Sequence, residues 1–130
     1  MKAFTDLPAR EASQIAPLVL AYIGDTVYDL FVRSLLIHST DLTSHGLHLR
    51  AIGLVRASAQ AEAFRKVESL LTPEETAVYK RGRNANISTV PKNAQMTDYR
   101  TATGFEAVIG FLYLSGRDER LAEIIKAALA

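Results

Sequence analysis

The chain has 130 residues, of which 48% are hydrophobic, a net charge of +1 and no cysteine. Its length suits a single domain with a buried core, and without cysteine neither a disulfide framework nor a thiolate zinc site can form. The N-terminus lacks the apolar core of a signal peptide, and no apolar run reaches the roughly 20 residues that a membrane span needs, so we expect a cytoplasmic protein.

The first long helix is predicted from about Pro17 to about Ile37. Proline is favoured in a first helical turn, and apolar residues then recur at helical spacing on nearly every face. A helix of that kind is normally buried, yet it carries Asp25 in its middle, directly after Gly24. Because an unpaired buried carboxylate is costly, we expect a basic partner, a ring of hydrogen-bond donors or a metal ion beside Asp25.

More helices are predicted after this one, over residues 43–70, 73–82, 97–115 and from 118 onward. Two glycines lie inside the 43–70 pattern and can divide it into two pieces. Thr72, Pro73 and Glu75 predict a capping box at the start of the next helix, and Asp118 is the expected cap of the last. No stretch has the alternation of a convincing strand, so the fold is predicted to be all-α, a helical bundle.

The segment before the fourth predicted helix is strongly basic. Residues 80–100 carry five basic side chains against Asp98 alone, which is a balance of +4 and leaves −3 on the rest of the chain. One basic segment on an otherwise acidic body indicates a surface for a polyanion, although most clusters of charge are only solvated loops. Residues 83–96 show little periodicity, so we expect a long loop that is mobile in the unliganded protein.

A second acid, Glu106, lies inside another apolar helix between Gly104 and Gly110. If that helix crosses the first near these glycines, Asp25 and Glu106 would face each other. Two close carboxylates repel unless a proton or a divalent cation intervenes, and carboxylates with waters are the usual ligands of Mg²⁺. Two plainer interpretations stay open: Thr103 with Glu106 also fits a capping box at a helix start, and Asp25 could pair with an arginine.

Other polar residues near the first helix are weaker candidates. Asp29, one turn after Asp25, is interpreted as solvated or salt-bridged rather than as a ligand. His38, His45 and His48 form a loose cluster, with the last two on one helical face. No third strong ligand stands at a characteristic spacing, so a zinc site is not favoured.

The residues around the two acids resemble a known family. Residues 20–29, Leu-Ala-Tyr-Ile-Gly-Asp-Thr-Val-Tyr-Asp, resemble the signature helix of the ribonuclease III family, and residues 104–110, Gly-Phe-Glu-Ala-Val-Ile-Gly, resemble its second acidic motif. Further stretches at 47–50 with 57–61, 79–85 and 91–94 resemble the short Mini-III branch of that family. Together these matches span nearly the whole chain.

The resemblance implies an all-α endonuclease that works as a homodimer on double-stranded RNA, with the Gly24 helix near the dimer axis. In the family, the acids bind Mg²⁺, for which Mn²⁺ can substitute, and a water attacks the phosphodiester in line to give 5′-phosphate and 3′-hydroxyl ends. Asp25 and Glu106 are thereby implied as the catalytic and metal-binding residues. The Mini-III branch further implies one catalytic domain over residues 1–130 without a double-stranded RNA-binding domain, the large-subunit (23S) ribosomal RNA precursor as substrate, and a ribosomal protein as a further partner to be tested.

The chain departs from the full-length members of the family at two positions. Where they carry additional acids, this chain has Ala21 and Thr103. The short branch shares such losses, but the number of metals is left open, and two carboxylates should bind free metal only weakly. The same losses keep alive a different class of function, a non-catalytic helical RNA-binding or ribosome-assembly protein. A plain helical dimerisation module would explain the apolar helices but not the isolated acids.

Without an appended RNA-binding domain, the basic segment must supply much of the recognition. Phosphate contacts give affinity and register, while A-form RNA is read mainly through its shape and its 2′-hydroxyls. The residues expected to hold the RNA backbone are Lys80, Arg81, Arg83, Asn84, Lys92 and Asn93. His48 and Gln60 also match family positions, and we assign them packing or hydrogen-bonding roles only.

Overall fold

The computed structural model describes residues 4–86 and 95–130, and within these ranges the chain is a bundle of helices without strands. The helices are α1 (Ala9–Ser13), α2 (Pro17–Ser39), α3 (Ser44–Val55), α4 (Ala57–Val67), α5 (Pro73–Arg83), α6 (Met96–Leu114) and α7 (Asp118–Leu129), with a 3₁₀ turn at Glu68–Leu70. The all-α prediction is confirmed. In the described ranges no helix is both long enough and apolar enough to cross a bilayer.

Two of the predicted helix-start signals are confirmed, and the capping role expected of Asp118 is wrong. Pro17 occupies the first turn of α2. The hydroxyl of Thr72 accepts the N–H of Glu75 at 3.1 Å while the Glu75 carboxylate accepts the N–H of Thr72 at 2.9 Å, which completes the capping box of α5. Asp118, by contrast, lies within the first turn of α7, where a carboxylate favours the positive end of the helix dipole, and Arg117 takes the capping position.

The predicted helix over residues 43–70 is divided, but not at either glycine. The break is at Arg56, whose φ of −69° and ψ of 159° are extended, while Gly46 and Gly53 stay helical. Because of this bend, α3 packs against α2 while α4 packs against α6 and α7. One straight helix could not make all three contacts.

Helix α6 is the centre of the bundle, and α2, α4 and α5 pack around it. Aromatic rings fix this arrangement. The ring centres of Tyr28 on α2 and Phe64 on α4 lie 5.4 Å and 5.5 Å, respectively, from the ring centre of Phe105 on α6. Phe64 also stacks on Tyr79 of α5 at 4.1 Å. Rings of this size contribute strongly to core stability. The cluster therefore holds α2 against α6 next to Glu106.

One face of α2 is exposed, in contrast to the buried helix that the sequence predicts. Tyr22 is 78% exposed, and it belongs to a stripe of exposed apolar side chains that also contains Val19, Leu30 and Ile37. Asp25 is exposed as well, so the prediction of a buried carboxylate at this position is wrong for the single chain. Helical spacing of apolar residues shows that a face is to be covered, but not whether the same chain covers it.

Candidate metal centre

Asp25 and Glu106 come together where α2 crosses α6. A Cβ added to Gly24 would lie 1.8 Å from the carbonyl oxygen of Glu106, and one added to Gly110 would lie 2.0 Å from the carbonyl oxygen of Leu20. No side chain fits at either position, so the two backbones touch directly. This close approach brings the residue after Gly24 beside the carboxylate of Glu106.

The glycine that pairs with Gly24 is Gly110, whereas Gly104 makes a different contact. A Cβ at Gly104 would lie 2.6 Å from the ring of Tyr79 on α5. The interpretation of Thr103 and Glu106 as a helix-starting capping box is also wrong. Thr103 lies in the middle of α6, and its hydroxyl donates to the carbonyl oxygen of Tyr99 at 2.9 Å.

The two carboxylates have different environments, since Asp25 is exposed and Glu106 is partly buried. Burial, together with the hydrogen bond and like charge of Asp25, raises the pKa of Glu106. A hydrogen bond from Gln60 lowers it by less, and the net pKa is about 9. Without a cation the pair therefore retains a proton at neutral pH, which relieves the repulsion between close carboxylates. A divalent cation would relieve it equally well.

This raised pKa predicts how the stability of the metal-free protein depends on pH. The unfolded chain releases the Glu106 proton near 4.5 and the folded chain near 9. Between these values the folded state binds more protons than the unfolded state does. The free energy of unfolding therefore falls, because of this one carboxyl group, by up to about 1.4 kcal/mol for each unit by which the pH rises. The contribution is complete below pH 4.5 and is lost as the pH rises toward 9.

The dependence of stability on pH can be measured by urea denaturation in EDTA at pH 6 and at pH 8, with the same protomer concentration in both experiments. Glu106→Gln stays neutral and can still donate a hydrogen bond to Asp25, so it should show a smaller loss of stability over the same interval. Equal losses in the two proteins would contradict the raised pKa.

The donor set fits an oxygen-ligated divalent cation that binds weakly on its own. Within residues 4–86 and 95–130, no third His, Cys, Asp or Glu joins Asp25 and Glu106 in a cluster. Ala21 and Thr103 are buried and supply no carboxylate. Mg²⁺ takes six oxygen ligands and readily keeps waters. Two carboxylates therefore leave most of its ligand positions to waters and to the phosphate of a substrate.

Gln60 belongs to the site, although the sequence assigned it no more than packing or hydrogen bonding. Its Nε2 donates to Oε2 of Glu106 at 3.3 Å and to the carbonyl oxygen of Val55 at 2.7 Å. It lies 46 residues from Glu106 in sequence. No local pattern could have shown this contact.

The remaining polar candidates near the first helices do not reach the pair of acids. Asp29 forms an ion pair with Arg33 at 2.9 Å, which confirms its interpretation as a salt-bridged residue. His38, His45 and His48 are exposed, and in the described part of the chain they form no cluster that could bind a metal.

Arginines of the basic segment are engaged by the bundle itself. Arg81 donates to the carbonyl oxygens of Ser13 and Ile15, the latter at 3.1 Å. The guanidinium of Arg83 lies 5.5 Å over the centre of the Tyr79 ring. The bonds of Arg81 hold the end of α5 against the N-terminal segment, whereas the contact of Arg83 with Tyr79 lies within α5 itself.

The other predicted RNA-binding residues fall into two groups. Lys80 and Asn84 are exposed at the end of α5. Lys92 and Asn93 lie outside the described residues, as does most of the 83–96 segment that is predicted to be a mobile loop. Their assignment to RNA stays a prediction.

Comparison with known proteins gives one consistent result. Residues 18–117 match the model of the Ribonuclease III domain. The chain is 48% identical to the Mini-ribonuclease 3 of Clostridium tetani, over 92% of this chain and 80% of that protein. It is 46% identical to the Mini-ribonuclease 3 of Brevibacillus brevis, over 93% of this chain and 90% of that protein. A crystal structure of a protein from Fusobacterium nucleatum is similar with a TM-score of 0.81 and 28% identity, covering 89% of this chain and 93% of that one.

Proposed function

The chain belongs to the ribonuclease III family, in the group named Mini-ribonuclease 3, and is an endoribonuclease, and from that premise we propose that it cleaves double-stranded RNA with a divalent cation held by Asp25 and Glu106. The observation that carries this proposal is the contact between the two carboxylates at the crossing of α2 and α6. A pair of acids that must share a proton when alone is the arrangement that a divalent cation stabilises.

The roles of the residues follow from their environments. Glu106, held on the central helix, and Asp25, exposed beside it, would be the protein ligands of Mg²⁺, with Mn²⁺ as an expected substitute. The bound cation supplies Lewis acidity and neutralises charge on the scissile phosphate. The two carboxylates also accept hydrogen bonds and so orient the attacking water. Hydrolysis then leaves 5′-phosphate and 3′-hydroxyl ends.

The basic segment would hold the RNA beside this site. Arg100 donates to the carbonyl oxygens of Arg83 at 3.2 Å and Ala85 at 3.1 Å, which fixes the chain as it leaves α5. Cationic and amide side chains at the end of α5 suit contacts with phosphates, which set affinity and register. The residues proposed to contact the RNA backbone are Lys80, Arg81, Arg83, Asn84, Lys92 and Asn93.

A cleavage assay tests the proposed function. An end-labelled double-stranded RNA and its separate single strand would be incubated with the protein in Mg²⁺, in Mn²⁺ and in EDTA, and the product ends would be analysed. We expect cleavage of the duplex with either metal, 5′-phosphate ends and no cleavage in EDTA. Equal cleavage in EDTA would contradict the metal requirement, and preference for the single strand would contradict the substrate.

The large-subunit (23S) ribosomal RNA precursor is the natural substrate that we propose. The support is the group to which the chain belongs, together with a single catalytic domain over residues 1–130. A ribosomal protein is a further partner to test, by adding it to the cleavage assay. The alternative is a non-catalytic RNA-binding or ribosome-assembly protein with the same fold. RNA binding without cleavage under every divalent cation tested would favour that alternative.

We also propose that the chain is a homodimer joined through the exposed stripe of α2. The stripe presents Val19, Tyr22, Leu30 and Ile37 on one side of the helix. An exposed apolar face of this kind marks an interaction site, and a twofold interface presents the same face of both copies. Asp25 lies in the same exposed helix, so the interface would bring the two sites toward one duplex.

Leu30→Lys tests the dimer. Leu30 is 64% exposed in the stripe, and a buried, unpaired lysine there should raise the dimer dissociation constant at least about a hundredfold. Leu70→Lys makes the same substitution at a residue that is 50% exposed outside the stripe. Sedimentation equilibrium should show a dimer for wild type and Leu70→Lys and a monomer for Leu30→Lys. Unchanged association of Leu30→Lys would place the interface elsewhere.

A further inference from the structure

Gln60 is buried beside the two acids, although it carries no charge and belongs to neither acidic motif. It is 2% exposed, on the face of α4 that packs against α6. A side-chain amide has two N–H donors and a carbonyl acceptor, and a buried polar group without a partner is destabilising. The partners of these groups therefore indicate what the residue does.

The amide nitrogen of Gln60 donates in two directions. One bond goes to the carbonyl oxygen of Val55 at 2.7 Å and the other to Oε2 of Glu106 at 3.3 Å. Val55 is the last residue of α3, so the first bond anchors the amide on the bend between α3 and α4. The second crosses to α6. A residue that served only to close the bend would need no bond to Glu106.

An amide suits this place better than a charged side chain. A lysine or arginine would neutralise Glu106 and compete with a cation for it, whereas a carboxylate would add a third negative charge to a pair that already repels. An amide N–H holds one carboxylate oxygen and leaves the net charge of the site unchanged. Hydrogen-bonding partners of this kind commonly orient the ligands of bound metals.

We propose that Gln60 is a positioning residue for Glu106: its amide, anchored on the Val55 carbonyl, fixes one carboxylate oxygen and leaves the other for the cation that Glu106 shares with Asp25. This rests on the proposed function, because it requires that the two acids bind a cation. Among the described residues Oε1 of Gln60 has no hydrogen-bond partner.

Binding of Mn²⁺ to the RNA-free protein, followed through the EPR signal of the free ion, tests this role. Gln60→Met keeps the length of the side chain and removes both donors. We expect the Mn²⁺ dissociation constant to rise about tenfold or more, and kcat at a Mn²⁺ concentration that saturates wild type to fall by a similar factor, with KM for RNA within about twofold. A higher Mn²⁺ concentration should recover part of the lost activity.

Two further variants make the result interpretable if Gln60→Met folds poorly. Gln60→Asn keeps an amide that is one methylene too short to reach both partners, and it should weaken Mn²⁺ binding in the same direction. Ser115 directly follows α6, and Ser115→Ala removes its 2.7 Å hydrogen bond to the carbonyl oxygen of Phe111 on that helix. It should bind Mn²⁺ like wild type, because it lies away from the acids.

Asp25→Asn, measured in the same way, separates this proposal from the proposed function. Undiminished Mn²⁺ binding by Asp25→Asn would overturn the proposed function. Loss of binding in Asp25→Asn together with wild-type binding in Gln60→Met and Gln60→Asn would overturn only the role of Gln60.

Discussion

Replacing Asp25 with Asn, or Glu106 with Gln, should lower the rate of cleavage of double-stranded RNA by about a thousandfold or more in Mg²⁺. Each change keeps the shape of the side chain and removes the charge that is proposed to hold the cation. A bound cation contributes several kcal/mol to the stabilisation of the transition state, and about 1.4 kcal/mol corresponds to a tenfold change in rate. Single-turnover cleavage of a labelled duplex, with enzyme in excess, measures the loss directly.

Asp29→Asn is the matched control for these two substitutions. Asp29 lies one turn beyond Asp25 on the same helix and pairs with Arg33 across the surface, and exposed pairs of this kind contribute at most about 1 kcal/mol. Its cleavage rate should stay within about threefold of wild type on that basis. Near-normal cleavage by both Asp25→Asn and Glu106→Gln, with folding intact, would mean that the active site lies elsewhere. A thousandfold loss in Asp29→Asn would mean that the ligand set is incomplete.

Gly24→Ala should be among the most destabilising single substitutions in the chain. Its Cβ would lie 1.8 Å from the carbonyl oxygen of Glu106 and 2.9 Å from the backbone nitrogen of Gly110. Both are backbone atoms of α6, so α2 and α6 would have to move apart along their whole contact. We expect a loss of at least about 3 kcal/mol in the free energy of unfolding. Urea denaturation at a fixed protomer concentration, with the m-value compared, measures it.

Gly53→Ala makes the same substitution where there is space. A Cβ at Gly53 would have no heavy atom within 4 Å, and the residue lies inside α3, where alanine is favoured over glycine by about 0.5–1 kcal/mol. Gly53→Ala should therefore stabilise the protein, so the two variants differ in sign. Wild-type stability of Gly24→Ala would contradict the direct contact of the two helices at this point.

The sequence predicted the helices where their signals are local. Pro17 and the Thr72–Glu75 capping box lie within one turn of the helix start that they specify, and both starts are confirmed. The break at Arg56 has no such signal, because neither proline nor glycine occurs there. It arises from the need for α3 and α4 to pack against different helices, which is a property of the whole bundle.

The candidate site was predictable only where its signals are local in sequence. Isolated acids next to glycines indicated a helix crossing, but Gly104 and Gly110 lie on different faces of α6, and the sequence does not show which one meets α2. The stripe around Tyr22 reads as buried in the sequence, although it is exposed in the single chain. The contact of Gln60 with Glu106 depends on how α4 is placed after the bend, so only the folded chain reveals it.

Anomalous diffraction from crystals grown with Mn²⁺ and double-stranded RNA tests most directly the claim that Asp25 and Glu106 bind the catalytic cation. The predicted result is an anomalous peak within bonding distance of a carboxylate oxygen of each residue, and its absence in crystals of Asp25→Asn. A peak at other residues, in crystals of a protein that cleaves RNA in solution, would contradict the assignment of the site.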